Sequence, residues 1–193
     1  HTFGLPYIFD STEDFYHVMD SDQMRDFFLS SGDDGFVTLT YYTSGARSFY
    51  TKNKAIRKPE DLKGLKIRVQ QSPASVAMVN AFGAAASPMG FGEVYTAIQQ
   101  NVIDGAENNE LALTNNKHGE VAKYYSYNKH QMVPDMLVGN LKFLESLSPE
   151  EYQVFKDAAA LSTEVEMAEW DKCVDEAKDI AQNQMGVEFI DVD

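Results

Sequence analysis

The sequence predicts an α/β protein, and two observations support that class. Short apolar segments that alternate with polar residues, such as residues 65–69, are typical of β-strands. Longer segments with apolar residues three and four apart, the longest of which starts at Ser148, are typical of helices. Because the two kinds of segment alternate along the 193 residues, the chain is expected to form a sheet covered by helices.

The first part of the chain contains two helix starts and one strand. Ser11 and Ser21 each offer a hydroxyl N-cap, with acidic residues in the turn that follows. This pattern predicts helices over residues 11–20 and 21–31. Phe36–Tyr42 is rich in β-branched and aromatic residues, which predicts a buried strand.

The middle of the chain is punctuated by Gly, Pro and Asn, which separate short elements. Up to residue 88, the predicted elements are an extended segment over 48–51, a helical turn over 58–64, a strand over 65–69, a helix over 73–83 and an extended link over 84–88. A helix over 93–100 and a turn into a short strand over 102–109 are predicted to follow. Asn101 is expected to end the helix over 93–100 in the left-handed conformation. Four histidines are spread along the chain without metal-ligand spacing, and we expect them to be solvated.

The last part of the chain is dominated by one helix. A weak helix over 110–123 and strands over 124–127 and 136–139 precede it. Ser148 as N-cap, Pro149 at the first helical position and two acidic residues behind it then predict a helix over about 149–185. At 1.5 Å per residue it would be roughly 50 Å long, more than one small lobe needs. Cys173 lies inside this helix, where we expect a packed thiol, and a strand over 187–190 follows.

Arg68 is the first candidate for a binding residue. Leu65, Ile67 and Val69 share one face of a predicted strand, so Arg68 points to the opposite face near the carboxyl end. In α/β sheets that end opens on the crevice where ligands bind. A planar guanidinium there can hold a carboxylate by two parallel hydrogen bonds. The alternative is a solvated arginine on an edge strand.

The segment that follows offers an aromatic side chain and several polar ones. Gly90 and Gly92 flank Phe91 but lack the third glycine of a dinucleotide fingerprint, so the loop is interpreted as presenting Phe91. Core packing is the alternative for Phe91. Asp104 and Glu107 could act as acid and base, but structural hydrogen bonds are the favoured interpretation because Asp before Gly is a common turn dipeptide. Asn108 offers a donor and an acceptor, which suits hydroxyls or a carboxylate.

Charge and composition exclude several classes of function. The formal net charge is −14, which argues against nucleic acid and anionic membrane surfaces as partners. No apolar run is long enough to span a membrane, and no signal peptide opens the chain. No motif indicates a cofactor, a metal site or a catalytic residue, so the chain is predicted not to be an enzyme.

Three motifs carry a family resemblance. Residues 63–69 read Lys-Gly-Leu-Lys-Ile-Arg-Val, residues 91–99 read Phe-Gly-Glu-Val-Tyr-Thr-Ala-Ile-Gln, and residues 102–108 read Val-Ile-Asp-Gly-Ala-Glu-Asn. In this order and spacing they resemble the solute receptors of TRAP (tripartite ATP-independent periplasmic) transporters. The resemblance covers nearly the whole chain. It implies that the chain lacks the first segment and the last helices of such a receptor.

The resemblance implies a two-lobed fold of the periplasmic-binding-protein type (type II), with a long helix bridging both lobes and one lobe incomplete. Residues 1–45 would belong to lobe I and residues 46–133 would form lobe II. Residues 134–193 would return to lobe I and include the long helix. Such receptors close on their ligand by a hinge.

The resemblance also implies a function. The chain would be an extracytoplasmic, periplasmic receptor that binds an organic acid and delivers it to the membrane subunits of a TRAP permease. The arginine that matches Arg68 clamps the ligand's carboxylate, Arg47 matches a second ligand-facing arginine, and Phe91 would lie against the ligand's apolar face. The implied ligand-binding set is completed by Asn108, Gln71 and Glu107.

A hexuronate such as glucuronate or galacturonate is the predicted ligand. Residues 45–50 and 106–109 are most similar to the uronate-binding branch. Several amides near the arginine also suit a ligand with several hydroxyls, namely Gln70, Gln71, Asn108 and Asn109. A C4-dicarboxylate held at both ends by two arginines is the alternative within the family. Two alternatives outside it stay open, which are a carbohydrate-acting enzyme that uses the two carboxylates and a module that docks a partner through its long acidic helix.

Overall fold

The computed structural model describes residues 2–192, and it confirms the predicted α/β class. Two residues of the predicted lobes, 1 and 193, lie outside the described residues. The α-helices are α1 (Thr12–Met19), α2 (Asp22–Leu29), α3 (Pro73–Ala81), α4 (Val94–Gln99), α5 (Leu111–Asn115), α6 (Leu141–Glu145) and α7 (Pro149–Asn183). The strands are β1 (Phe36–Tyr42), β2 (Ala46–Thr51), β3 (Lys66–Val69), β4 (Ala85–Pro88), β5 (Gly105–Asn108), β6 (Tyr124–Met132), β7 (Asp135–Asn140) and β8 (Glu188–Asp191).

The strands form two sheets. The larger has six strands in the order β4-β3-β5-β2-β6-β8, and the smaller is the antiparallel pair of β1 and β7. In the larger sheet β3 runs parallel to β4 and β5, whereas β2 runs antiparallel to β5 and β6. The carboxyl ends of β3, β4 and β5 therefore meet at one edge, and β2 begins at that same edge.

The chain divides into two compact units. The middle unit consists of residues 45–132 together with 2–8 and 173–192, and the flanking unit consists of residues 9–44 and 133–172. The predicted lobes differed at the chain ends, since residues 1–45 and 134–193 were both assigned to lobe I. Residues 173–192 instead pack with the middle unit, because β8 pairs with β6 and Ala181 lies in that unit's core. At the other end, Tyr7 N donates to the His130 carbonyl.

Helix α7 contributes to both units. Its 35 residues match the predicted long helix closely, and its last part, from Cys173 onward, belongs to the middle unit. The expectation that the regularly spaced apolar residues of this helix form a buried stripe is only partly correct. Ala159 and Ala177 are buried, but Phe155 is 41% exposed and Val165 is 55% exposed. Cys173 is exposed rather than packed.

Two other segments differ from the prediction. The helix expected over 110–123 breaks into α5 and a 3-10 turn at His118–Glu120, because Lys117 adopts a left-handed φ of 59°. Strand β6 continues to Met132, well beyond the predicted residue 127, since β2 pairs again with Gln131 and Met132 after a break in register. Helix α6 was not predicted, although Asn140 caps it by accepting from Phe143 N.

The core of the middle unit consists of two clusters. One contains Ile67 and Val69 of β3 with Phe49 of β2, and the other contains Tyr50 of β2 and Ala106 of β5. Alternation along each strand thus sends neighbouring residues to different clusters. Burying one Ile or Val side chain fully stabilises the fold by roughly 1.5–3 kcal/mol. These clusters therefore stabilise the sheet whose edge carries the candidate residues.

Candidate functional site

The candidate site lies within the middle unit, where β3, β4 and β5 end. Arg68 is the third residue of β3, Phe91 follows β4, and Glu107 and Asn108 end β5. Arg47 joins them because β2 begins at this edge and Ser48 is paired with Asn108. The sheet topology therefore brings together five of the six predicted binding residues from four separate stretches of sequence.

Arg68 is a buried cation held in a fixed orientation. It is 4% exposed, and its Nε and Nη2 both donate to the carbonyl oxygen of Met89 at 3.1 and 2.9 Å. Among residues 2–192, no carboxylate oxygen lies within 4.0 Å of the guanidinium. Met89 occupies the Nε side, so the paired N–H groups of the Nη1 and Nη2 end are left for an end-on carboxylate. Burial lowers the pKa of Arg68, but a guanidinium stays charged.

An aromatic ring lies against the Arg68 guanidinium. The guanidinium carbon is 5.4 Å from the centroid of the Phe91 ring, a cation–π geometry. Phe91 is half-buried, so it both packs against the protein and presents surface at the sheet edge. Core packing and a ligand-facing role were the two interpretations of Phe91 from the sequence, and its position is compatible with both.

Arg47 is a buried cation with a carboxylate partner, and not an exposed turn residue. It lies in β2, is buried, and forms a salt bridge in which Nε donates to Glu107 Oε2 at 2.6 Å and Nη2 donates to Oε1 at 3.0 Å. Nη2 also donates to the Glu107 carbonyl at 2.9 Å, and Nη1 donates to Asn108 Oδ1 at 3.1 Å. Most donors of Arg47 are thus used within the protein.

Glu107 is the counter-ion of Arg47. Burial by itself raises the pKa of this carboxyl group, but Arg47 and His130 outweigh burial and lower the pKa to about 2. His130 Nε2 lies 3.4 Å from Oε2. Both oxygens of Glu107 are therefore engaged by side chains of the protein, and the residue is placed to orient Arg47 rather than to contact a ligand.

The amide side chains at the sheet edge differ in which of their polar atoms a ligand could contact. Asn108 Oδ1 accepts from Arg47 and from Asn109 N at 2.8 Å, so its acceptor is occupied and its Nδ2 group is the part left for a ligand. Gln71 is exposed directly after β3. Asp104 accepts from Lys66 N at 2.8 Å, which confirms the structural interpretation for that carboxylate.

Several residues of this region were missed from the sequence. His118 and His130 were expected to be solvated but are buried. His130 was missed because β6 was predicted to end before it, and His118 because its helix was predicted to continue unbroken. Met89 contributes through its backbone carbonyl, for which no sequence signal exists.

Two further features are absent from residues 2–192. No group of three or more His, Cys, Asp or Glu side chains in residues 2–192 is arranged to hold a metal ion. No helix within that range is both long and apolar enough to cross a membrane.

Comparison with known proteins gives a consistent set of matches. The family described as bacterial extracellular solute-binding protein, family 7, matches residues 1–193. An uncharacterized protein of Salmonella typhimurium is 43% identical over 192 residues, which cover 99% of this chain and 59% of that protein.

Solved structures show the same similarity. The TRAP periplasmic solute-binding protein of Anaerococcus prevotii, with bound α/β-D-glucuronate, is 54% identical at a TM-score of 0.92, over 99% of this chain and 62% of that one. The TRAP periplasmic solute-binding protein of Xanthobacter autotrophicus, with bound β-D-galacturonate, is 39% identical at a TM-score of 0.93, over 100% and 64% of the two chains. The chain thus spans about three fifths of the length of each of these three proteins.

Proposed function

The chain belongs to the DctP family of TRAP periplasmic solute-binding proteins, and on that premise we propose that it binds a hexuronate through Arg68. The observation that carries this proposal is the buried Arg68 guanidinium, which has one side fixed by Met89 and no carboxylate partner among residues 2–192. An unpaired buried cation is costly, and a ligand carboxylate would remove that cost.

The charge at the sheet edge favours a ligand with one carboxylate. Arg47 is neutralised by Glu107 at 2.6 Å, so Arg68 is left as the cation that can accept an anionic partner. A C4-dicarboxylate held at both ends by these two arginines would have to compete with Glu107 for Arg47. The uronates bound by the two solved relatives each carry a single carboxylate.

The polar groups near Arg68 favour a ligand with hydroxyls. The Asn108 Nδ2 group and the exposed Gln71 can each address a hydroxyl, and Phe91 can cover the apolar face of a sugar ring. A site built to hydrogen-bond hydroxyls discriminates strongly against ligands that lack them, because its own polar groups are then left unpaired.

The transport role follows from the family. The receptor would act outside the cytoplasm and release its ligand to the membrane subunits of a TRAP permease. Members of this family are solute-binding proteins and not enzymes. Asp104 and Glu107, the carboxylates considered for catalysis, are both committed to contacts within the protein.

A thermal-shift panel on the full-length protein tests the proposal. Glucuronate, galacturonate, sialate, malate and succinate would be added at equal concentration. A ligand at about a hundredfold its Kd stabilises by roughly 2.7 kcal/mol, so a uronate is expected to raise the midpoint most. A midpoint raised by malate or succinate, with both uronates inactive, would overturn the assignment to sugar acids.

A further inference from the structure

His118 is a buried histidine beside the candidate site that no binding role yet explains. It is 2% exposed and lies in a 3-10 turn of the middle unit. Its Nδ1 is 2.7 Å from the hydroxyl oxygen of Tyr50, a residue with no exposed surface. Either tautomer of the neutral ring can form this hydrogen bond, because a tyrosine hydroxyl both donates and accepts. The core of the unit thereby anchors one side of the imidazole.

The other side of the imidazole supports Phe91. The two ring centroids are 5.2 Å apart with an interplanar angle of 66°, an edge-to-face contact. Phe91 in turn lies 5.4 Å from the Arg68 guanidinium carbon. Tyr50, His118 and Phe91 therefore form a continuous aromatic support that begins in the core and ends at the guanidinium.

Two kinds of contact fix Phe91, which are apolar packing against the buried cluster that contains Tyr50 and an edge-to-face contact with His118. Phe91 is half-buried in the short turn after β4, with the exposed Gly92 on one side and Gly90 on the other. A ring in such a turn can rotate away from the guanidinium unless a neighbour limits it. Of its ring contacts in residues 2–192, the one with His118 is the contact that ties it to a fully buried group.

We propose that His118 is a positioning residue for the carboxylate clamp, because it holds Phe91 over Arg68. This role rests on the proposed uronate function, since the clamp is the part that His118 supports. Precise placement raises affinity because the free protein is already ordered in the binding geometry.

The local electrostatics are consistent with an uncharged support. Burial, followed by the nearby Arg68 charge, lowers the pKa of His118 to about 4. The imidazole is therefore neutral at neutral pH and does not repel the guanidinium or draw the ligand's carboxylate away from it. Tyr50 also stays neutral, because burial raises the pKa of its hydroxyl.

A ligand-free NMR measurement tests the positioning directly. The Arg68 Nε–H resonance, assigned by its loss in Arg68→Lys, reports the ring current of Phe91. We expect His118→Ala to move this resonance toward its position in Phe91→Ala, and His17→Gln, at an exposed histidine, to leave it unchanged. A resonance that stays at the wild-type position in His118→Ala would overturn the proposal. Should His118→Ala fail to fold, His118→Gln keeps an acceptor for Tyr50 but removes the ring, and the same two outcomes apply.

Calorimetry with D-glucuronate on the full-length protein tests the consequence for binding. Cation–π contacts of about 0.5–2 kcal/mol correspond to a twofold to roughly thirtyfold weaker Kd when Phe91 is released. The double variant His118→Ala/Phe91→Ala should bind no more weakly than Phe91→Ala alone. Losses that multiply instead would mean that His118 acts independently of Phe91. If the wild-type protein binds no uronate, the proposed function fails, whereas the NMR result still decides the positioning role.

Discussion

Arg47 and Arg68 are both buried, yet only Arg47 has a carboxylate partner among residues 2–192. Desolvation penalises a buried charge unless a partner compensates for it. Glu107 provides that compensation for Arg47, and it outweighs burial so that the pKa of Arg47 is raised. The Arg68 guanidinium donates to the neutral carbonyl oxygen of Met89 instead. A ligand carboxylate can therefore supply the charge compensation that Arg68 lacks.

At the residue scale, the first prediction concerns Arg68. Removing one partner of a buried charge pair costs about 2–5 kcal/mol, so Arg68→Ala is expected to weaken uronate binding by roughly thirtyfold to several thousandfold. Arg68→Lys should recover only part of this loss, because an ammonium cannot make the planar double contact. Calorimetry checks both variants. A folded Arg68→Lys protein with wild-type affinity would exclude an end-on clamp.

The second prediction concerns Glu107 and pH. The folded state lowers the pKa of Glu107 from 4.5 to about 2. Protonation therefore favours the unfolded state, so the stability from this carboxylate is complete above pH 4.5 and is lost as pH falls toward 2. Glu107→Gln leaves Arg47 buried without a counter-ion and should cost about 3–5 kcal/mol at pH 7.

Urea unfolding of wild type and Glu107→Gln between pH 3 and pH 7 measures how the stability contributed by Glu107 depends on pH. The difference in free energy of unfolding should shrink below pH 4.5. The exposed pair of Lys172 and Glu169 offers a control, since Glu169→Gln should change little. A difference that is constant across the pH range would show that the Glu107 carboxylate is not the source of the effect.

The chemistry of single residues was only partly predictable from the sequence. Arg68 could be found because alternation in a short strand fixes the face of its side chain. The pairing of Arg47 with Glu107 could not, since 60 residues separate them and only the register of β2 against β5 brings them together. The roles of His118 and Met89 depend on a left-handed residue and a backbone carbonyl, which leave no pattern.

At the scale of elements, β5 depends on a glycine. A Cβ at Gly105 would overlap the carbonyl oxygen of Tyr50 and lie 2.9 Å from Thr51 Cα, both of which are backbone atoms of β2. The sequence suggested a turn dipeptide at this position, but the structural requirement is the close approach of two strands. This approach sets the register that places Glu107 and Asn108 at the sheet edge.

The third prediction is that Gly105→Ala destabilises the protein by about 1–3 kcal/mol or more, because the strands must separate to admit the methyl group. Gly92→Ala is the matched control in the same unit. No atom lies within 4 Å of its added Cβ, so it should be neutral or slightly stabilising. Urea denaturation followed by circular dichroism measures both. Equal midpoints for the two variants would contradict the close-approach account.

Elements with local signals were predicted well and the others were not. The capped helices α1 and α2 and the strand β1 were found because serine caps and β-branched runs are local features. The second half of β6 has no such signal, since residues 128–132 read Asn-Lys-His-Gln-Met. Its last two residues, Gln131 and Met132, pair with β2, and this pairing overrides the weak intrinsic preference of the segment.

At the scale of the whole molecule, the two units differ in how much apolar surface they bury. The middle unit contains two clusters of buried apolar side chains. The flanking unit leaves several large apolar side chains exposed, namely Phe27, Leu29, Val154, Leu161 and Val165. Local stability follows the density of buried contacts, so the flanking unit should open more readily.

The fourth prediction is therefore unequal hydrogen exchange in the chain of residues 1–193. Amides of β2, β5 and β6 should exchange slowest, and those of α1, α2 and β1 should exchange faster, because fewer buried contacts oppose their opening. Hydrogen–deuterium exchange with mass spectrometry resolves these peptides. Equal protection in both units would contradict the expectation.

The family could be recognised from three short motifs, but the division of the chain could not be predicted fully. Residues 2–8 and 173–192 join the middle unit through β8 and through contacts to β6, and such long-range pairing has no local signal. The long helix was predictable from its caps. Which of its apolar residues would be buried was not, because burial depends on what packs beside each turn.

A crystal structure of the full-length protein with D-glucuronate tests the central claim most directly. We expect the sugar's carboxylate to lie at charge-assisted hydrogen-bond distance, about 2.7–2.9 Å, from Nη1 and Nη2 of Arg68. The bonds from Nε and Nη2 to Met89 should be retained, and Phe91 should remain over the guanidinium. A uronate bound with its carboxylate on other groups, and with Arg68 still unpaired, would contradict the account.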